Sequence, residues 1–371
     1  MSSLVPEPLK RLPWRLYGLL ATMALFGCIV LYSAAGGHIM PWAGMQAARF
    51  IVFCLMAEAI SRIPFRLIEQ SALPAYAVLL AALVLVELIG GVAGGSQRWI
   101  NLGFMQLQPS EFMKLACVLA VARFYAVLPV KQIRSWTAIW PALALIGVPV
   151  FLIMIQPDLG TSLMVTAGGV TVMFLAGLPM RLFLGAAGTM AAIVPIAFSM
   201  LHEYQRNRIL IFLDPESDPL GAGYHISQSK IAIGSGGIFG KGFLNGTQSH
   251  LDYLPEGHTD FVFATMAEEW GVVGGVFLII CFMLLLRWGM RVAMRTEAKF
   301  PRMVAAGLTM TIFFYIAINM MMVMGLAPVV GIPLPFMSYG GSSMMTIMLC
   351  VGIILNIDRE SARRSAASGW R

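Results

Sequence analysis

Charge is scarce in this chain. Asp, Glu, Lys and Arg make up 12% of its 371 residues, roughly half of what a soluble domain carries. A chain 58% hydrophobic, with a mean hydropathy of +0.80, has too little polar surface to stay in water. Cysteine is sparse as well. Cys28, Cys54, Cys117, Cys281 and Cys350 show no C-x-x-C and no paired spacing, so no thiolate metal site or disulfide framework is expected. All five lie in apolar runs, where cysteine behaves as a small packing residue. The five histidines are scattered without metal-ligand spacing, which argues against a metal site built from them. Two look-alike motifs also fail: Gly236 to Lys241 is one residue short of a phosphate loop, and Ser110 and Lys114 stand four apart, not three.

What the chain does have is long apolar runs. About 20 such residues cross the hydrocarbon at 1.5 Å each. Ten runs qualify, at about 14–34, 44–61, 73–93, 110–127, 137–155, 159–178, 182–201, 262–286, 303–325 and 339–357. The fold class is therefore an all-α integral membrane protein forming one domain over 1–371. With the N-terminus inside, 18 of the 25 lysines and arginines fall on the inner side, as short cytoplasmic loops require. Both termini are then cytoplasmic. The net charge of +7 needs no nucleic-acid partner, because the basic residues lie beside the anionic inner leaflet. Ser33-Ala34-Ala35 would suit a signal peptidase, but the first run is long for a leader and reads as a retained anchor.

Two connections are unusual. Residues 202–261 form a long outer loop holding seven of the 18 acidic residues, and within it 224–233 suits a short helix on the membrane surface. Residues 325–341, with three prolines and four glycines, break any helix. Irregular backbone at bilayer depth must be buried in protein or line a wet cavity, so this segment reads either as a partly re-entrant cavity wall or as an ordinary outer loop.

Charges inside spans cost about 2.5–3.5 kcal/mol each and are functional candidates by default. Glu111 and Lys114 share a helix face after Gln108-Pro109-Ser110; the competing reading is a structural ion pair between spans. Arg98 stands on the loop just before, either at the site or as an interfacial anchor beside Trp99. Asp158 precedes a helix start and also suits an N-cap. Of Glu268 and Glu269, one would face a cavity and one a neighbour, while Glu87 reads as a buried polar contact. Asp260 stands where the long loop meets the eighth span, placing a carboxylate at the rim where water meets membrane. Taken alone, an N-cap from Thr259 or Asp260 is the favoured reading there.

Motifs along the chain bear on this choice. Gln97-Arg98-Trp99, Gln108-Pro109-Ser110-Glu111, Gln156-Pro157-Asp158-Leu159-Gly160-Thr161, the run Asp214–Tyr224, Gly240-Lys241-Gly242, His258-Thr259-Asp260-Phe261 and Ser338-Tyr339-Gly340-Gly341 run in order along nearly the whole chain. In these the sequence resembles the SEDS proteins (shape, elongation, division and sporulation), and the Asp214–Tyr224 run resembles the elongation branch. The resemblance implies a peptidoglycan glycosyltransferase of the bacterial inner membrane that polymerises lipid II. Its implied partners are a class B penicillin-binding protein, a transpeptidase, and other elongation-complex proteins. It makes Asp260 the essential aspartate and places Arg98, Glu111 and Lys114 in a polar cavity. Gln108, Ser110, Asp158 and Lys230 complete the candidate substrate-binding set.

An α-linked undecaprenyl diphosphate donor and a β product require one inverting displacement. Diphosphate leaves without acid help, so one base suffices, where an inverting glycosidase needs two carboxyls. Asp260 would take the proton of the acceptor's 4-hydroxyl, with Lys114 and Arg98 meeting the charge on the diphosphate. No cofactor is demanded; a divalent cation (Mg or Mn) near Glu111 or Asp260 would share that role. A flippase or transporter of the same lipid-linked precursor and a non-catalytic scaffold are the alternatives. On this reading Lys114→Ala lowers polymerisation while expression stays near normal.

Overall fold

The computed structural model describes residues 13–89, 91–93, 96–101, 106–200, 203–214, 218, 221–251, 253–254 and 256–368. The first three helices are α1 (Trp14–Ala34), α2 (Trp42–Ile60) and α3 (Phe65–Ile89). Three short antiparallel strands follow, β1 (Gly91–Ala93), β2 (Ser96–Asn101) and β3 (Gln106–Leu107), in spatial order β1-β2-β3. Next come α4 (Pro109–Val127), α5 (Trp136–Ile155), α6 (Leu159–Ala176), α7 (Met180–Met200) and α8 (Glu203–Leu213). The chain closes with α9 (Ala222–Gly236), the single turn α10 (Thr247–His250), and the long helices α11 (Val262–Arg295), α12 (Lys299–Val323) and α13 (Gly341–Ser368).

A long helix occupies each of the ten apolar runs, and eight of the ten are long and apolar enough to cross a membrane. The chain is a multi-pass membrane protein. Of the other two, α4 carries Glu111, Lys114 and Arg123, and α7 has its apolar stretch at Met180–Ile193. The strands were not expected; they are a small hairpin unit between α3 and α4. Glu87 is exposed rather than buried, because it lies near the open end of α3.

Helix α4 is the axis of the bundle. Pro109 occupies its first turn, where the missing N–H costs nothing. All but a few of its side chains are buried, against α3, α5, α6 and α12. At one edge Glu58 ties three helices together, accepting from Tyr17 at 2.8 Å, Arg62 Nε at 2.8 Å and Arg359 at 3.0 Å.

The break expected at 325–341 is present and turned into the protein. Ile332, Leu334, Phe336 and Met337 are buried although residues 325–340 are not helical. Their backbone is satisfied by side chains: Gln46 Nε2 donates to Ser338 O at 2.9 Å, Asn319 Nδ2 donates to Ile332 O at 2.6 Å, and Ser338 Oγ accepts from Leu334 N at 2.7 Å. This is the condition for irregular backbone to persist away from water.

The long loop departs most from expectation. Helix α9 exceeds the expected 224–233 and packs on α11 and α12 within the bundle, with Ser229 Oγ donating to Val323 O at 2.7 Å. Helix α11 is broken at Gly271, whose φ of 60° and ψ of −157° are open to glycine. Residues 237–242 pair there with the freed backbone: Lys241 N donates to Glu268 O at 2.9 Å and Val272 N to Gly237 O at 3.0 Å. A Cβ on Gly240 would stand 2.0 Å from Glu269 O. Gly240→Ala should therefore force the strap off α11, seen as a several-fold drop in membrane yield and a lower melting temperature; normal yield and melting would refute the pairing.

Candidate active site

Five elements converge on the turn at 256–261. Asn319 of α12 donates to Asp260 O at 2.8 Å and, on its other N–H, to Ile332 O. Thr265 of α11 donates to Gly257 O at 3.1 Å. Tyr339 N donates to His258 O at 2.9 Å. The His258 ring stacks on Trp42 of α2, centroids 4.0 Å apart, and Phe261 stacks on His225 of α9 at 5.9 Å. Burial holds the His258 imidazole below its usual pKa, so it rests neutral near pH 7.

The Asp260 side chain is treated differently from its backbone. The N-cap of α11 is Phe261, with no side-chain cap bond, so the N-cap reading of Thr259 or Asp260 does not hold. Among the described residues the Asp260 carboxylate has no hydrogen-bond partner; a Cβ on Gly331 of the irregular wall would lie 3.4 Å from its Oδ2. Desolvation pushes its carboxyl from 3.8 up to about 7, and Glu256 adds in the same direction. A rigidly held, partnerless carboxylate that titrates near neutrality is suited to take a proton.

The other expected residues fall into two groups around it. In the first, Asp158 caps α6, its Oδ1 accepting from Thr161 N at 3.0 Å while Oδ2 accepts from Gln108 Nε2 at 3.0 Å. Arg98 turns to the same corner, donating through Nε to Gln156 O at 2.7 Å and through its terminal nitrogen to Pro157 O. Ser110 is buried beside them, its hydroxyl without a partner among the described residues. In the second group Lys114 Nζ donates to Glu111 Oε1 at 2.5 Å and to the Tyr315 hydroxyl at 2.7 Å. Tyr315 in turn donates to Glu111 Oε2. Lys114 is 1% exposed and Tyr315 0%.

Both groups connect to the Asp260 turn through intervening residues. Tyr315 and Asn319 are one turn apart on α12, about 6 Å along its axis. Gly160 of α6 packs on Val330, next to Gly331: a Cβ on Gly160 would lie 2.5 Å from Val330 O. Lys230 is exposed on α9, its side chain against Gly325 at the start of the wall. Sequence reasoning missed Tyr315 and Asn319, although two polar groups four apart in an apolar run share a face and would have marked them.

Glu268 and Glu269 do not divide as expected. Glu268 accepts from Lys241 Nζ at 2.6 Å and Thr247 N at 2.9 Å, and Glu269 accepts from Ser33. Both secure the loop. Among the described residues no group of three metal-ligating side chains gathers.

Comparison with known proteins identifies the family and the fold. The model of the FtsW/RodA/SpoVE cell cycle proteins matches residues 13–363. The chain belongs to that family. It is 45% identical over 343 residues to the peptidoglycan glycosyltransferase MrdB of Escherichia coli (strain K12), covering 91% of each. A solved chain from a study of polymerization and crosslinking by a peptidoglycan synthase complex superposes with a TM-score of 0.83 at 32% identity, over 95% of this chain and 98% of that one. The rod shape determining protein RodA of Thermus thermophilus superposes with a TM-score of 0.70 at 29% identity, covering 94% and 97%. Family membership thus spans the helices, the irregular wall and the Asp260 turn together.

Proposed function

We propose that Asp260 is the general base of a peptidoglycan glycosyltransferase acting on lipid II. The activity follows from family membership and the 45% identity to MrdB; the residue assignment rests on one observation, the partnerless Asp260 carboxylate titrating near 7. The acceptor's 4-hydroxyl gives its proton to Asp260 as its oxygen bonds the donor's anomeric carbon. The bond from that carbon to the diphosphate breaks, and undecaprenyl diphosphate leaves with the electron pair. One inversion gives the β linkage.

Arg98, Gln108 and Asp158 support this reading as the frame of the α5–α6 corner, and Ser110 offers a free hydroxyl there. Lys230 has its amine at the exposed rim of the wall. A divalent cation fits Asp260 better than Glu111, both of whose oxygens are taken by Lys114 and Tyr315; no step above depends on one. The remaining parts of the proposal are an inner-membrane location with both termini cytoplasmic, a class B penicillin-binding protein as transpeptidase partner, and a place in the elongation complex.

The test is purified protein with that partner and lipid II, scored for glycan polymer. Polymer from the wild type supports the reading. Movement of lipid II across a vesicle with no polymer would replace it with a flippase.

A further inference from the structure

Arg49 stands seven residues into α2, inside an apolar span, and is only partly buried. The buried glutamates already have partners: Glu111 has Lys114, Glu268 has Lys241, and Glu269 has Ser33. Among the described residues Arg49 has no carboxylate and no hydrogen-bond acceptor. Its one contact of note is with Tyr339, over whose ring the guanidinium carbon sits at 4.5 Å. A lone cation–π contact does not offset holding a guanidinium in a span. The position is unfavourable for a second reason. The guanidinium lies beside Gly341, its carbon 3.5 Å from where a Cβ there would stand, and the start of a helix such as α13 repels a cation. Stability of the fold therefore gives no reason for arginine at this place.

The location does give one. Tyr339, beneath the guanidinium, donates its N–H to His258 O, two residues before Asp260, and Trp42 of the same helix stacks on His258. Arg49 and Asp260 thus belong to one junction of α2, the wall and the 256–261 turn. The reaction proposed above leaves a diphosphate carrying new negative charge as the donor bond breaks. Of the three cations picked out by sequence, Arg98 is held on two carbonyls and Lys114 on Glu111 and Tyr315, while Lys230 lies at the exposed rim of the wall beside Gly325.

We propose that Arg49 is the residue that binds the lipid-linked diphosphate and meets the charge it gains as it leaves. This rests on the glycosyltransferase reading. Arginine suits the task, since its planar fork grips phosphate oxygens and keeps its charge in an apolar setting.

The test compares wild type, Arg49→Gln and Arg49→Lys in the lipid II polymerisation assay, with undecaprenyl diphosphate and undecaprenyl monophosphate as added inhibitors. Arg49→Gln should lose about 100-fold or more in kcat, the scale of losing one preorganised charge contact. Arg49→Lys should keep a measurable rate, and its inhibition by undecaprenyl diphosphate should weaken about tenfold or more while the weaker monophosphate inhibition moves less. A rate for Arg49→Gln within about threefold of wild type overturns the proposal, as does undecaprenyl diphosphate inhibition of Arg49→Lys that matches wild type. Tyr339→Leu separates a structural role: if it removes the rate as fully as Arg49→Gln and leaves product inhibition unchanged in both, Arg49 is only a prop for the loop. A wild type that makes no polymer defeats the underlying activity instead, which is a distinct outcome.

Discussion

Asp260→Asn should lower glycan polymerisation by about 100- to 10,000-fold, the range a positioned base supplies. Asparagine matches the carboxylate in shape, and Asn319 holds the Asp260 backbone rather than its side chain, so the turn stays in place. The thermal behaviour makes this loss distinguishable from misfolding. Burial raises the Asp260 carboxyl from 3.8 to about 7 in the folded protein. Ionising it in the fold is then harder than in the unfolded chain, and stability is lost as pH rises from about 4 through about 7. Asparagine removes that loss. The variant should melt above wild type at pH 8, with the difference fading toward pH 4, measured by thermal unfolding in detergent. Inactivity with a lower melting temperature would point to structure instead, and retained activity would end the base assignment.

Lys114→Ala should have its largest effect on the folded state. Removing the ammonium leaves Glu111 charged and buried in the first turn of α4, with Tyr315 as its remaining partner. Breaking a buried pair from one side costs about 3–5 kcal/mol. Little protein should accumulate, and what does should melt well below wild type. This differs from the result expected from sequence, because the sequence does not reveal that the pair is sealed by Tyr315 and closed to solvent. Replacing both partners, Glu111→Gln with Lys114→Met, removes both charges and should recover most of the yield. The polymerisation rate of that double variant then measures any chemical contribution separately. Normal accumulation of Lys114→Ala, or a double variant as poor as the single, would contradict the structural role.

How much of this was legible beforehand depended on the kind of signal. The ten spans were readable because hydrophobic length is a local property. The irregular wall at 325–341 was readable as a break, since proline and glycine act locally. Whether it lay buried depended on Gln46 and Asn319, which stand about 290 and 13 residues from their acceptors. The break of α11 at Gly271 was not legible, because the apolar run continues through it and its cause is the distant strap at 237–242. The strands carrying Arg98 are too short to leave a period of two. At the candidate site, residue types marked the candidates, but their partners were settled by packing. Asp158 caps a helix, Arg98 holds carbonyls, and Asp260, for which an N-cap was the plain reading, caps nothing.

The pH dependence of kcat/KM for polymerisation tests the central claim most directly, measured on wild type and on Glu256→Gln. An unpaired carboxylate acting as base works only when ionised. The wild-type rate should therefore fall as pH drops through about 7 and level off above it. Glu256→Gln takes away the neighbouring like charge, so its midpoint should lie lower. A wild-type rate that stays flat through this range, or a midpoint unmoved by Glu256→Gln and still present in the residual activity of Asp260→Asn, would contradict the account.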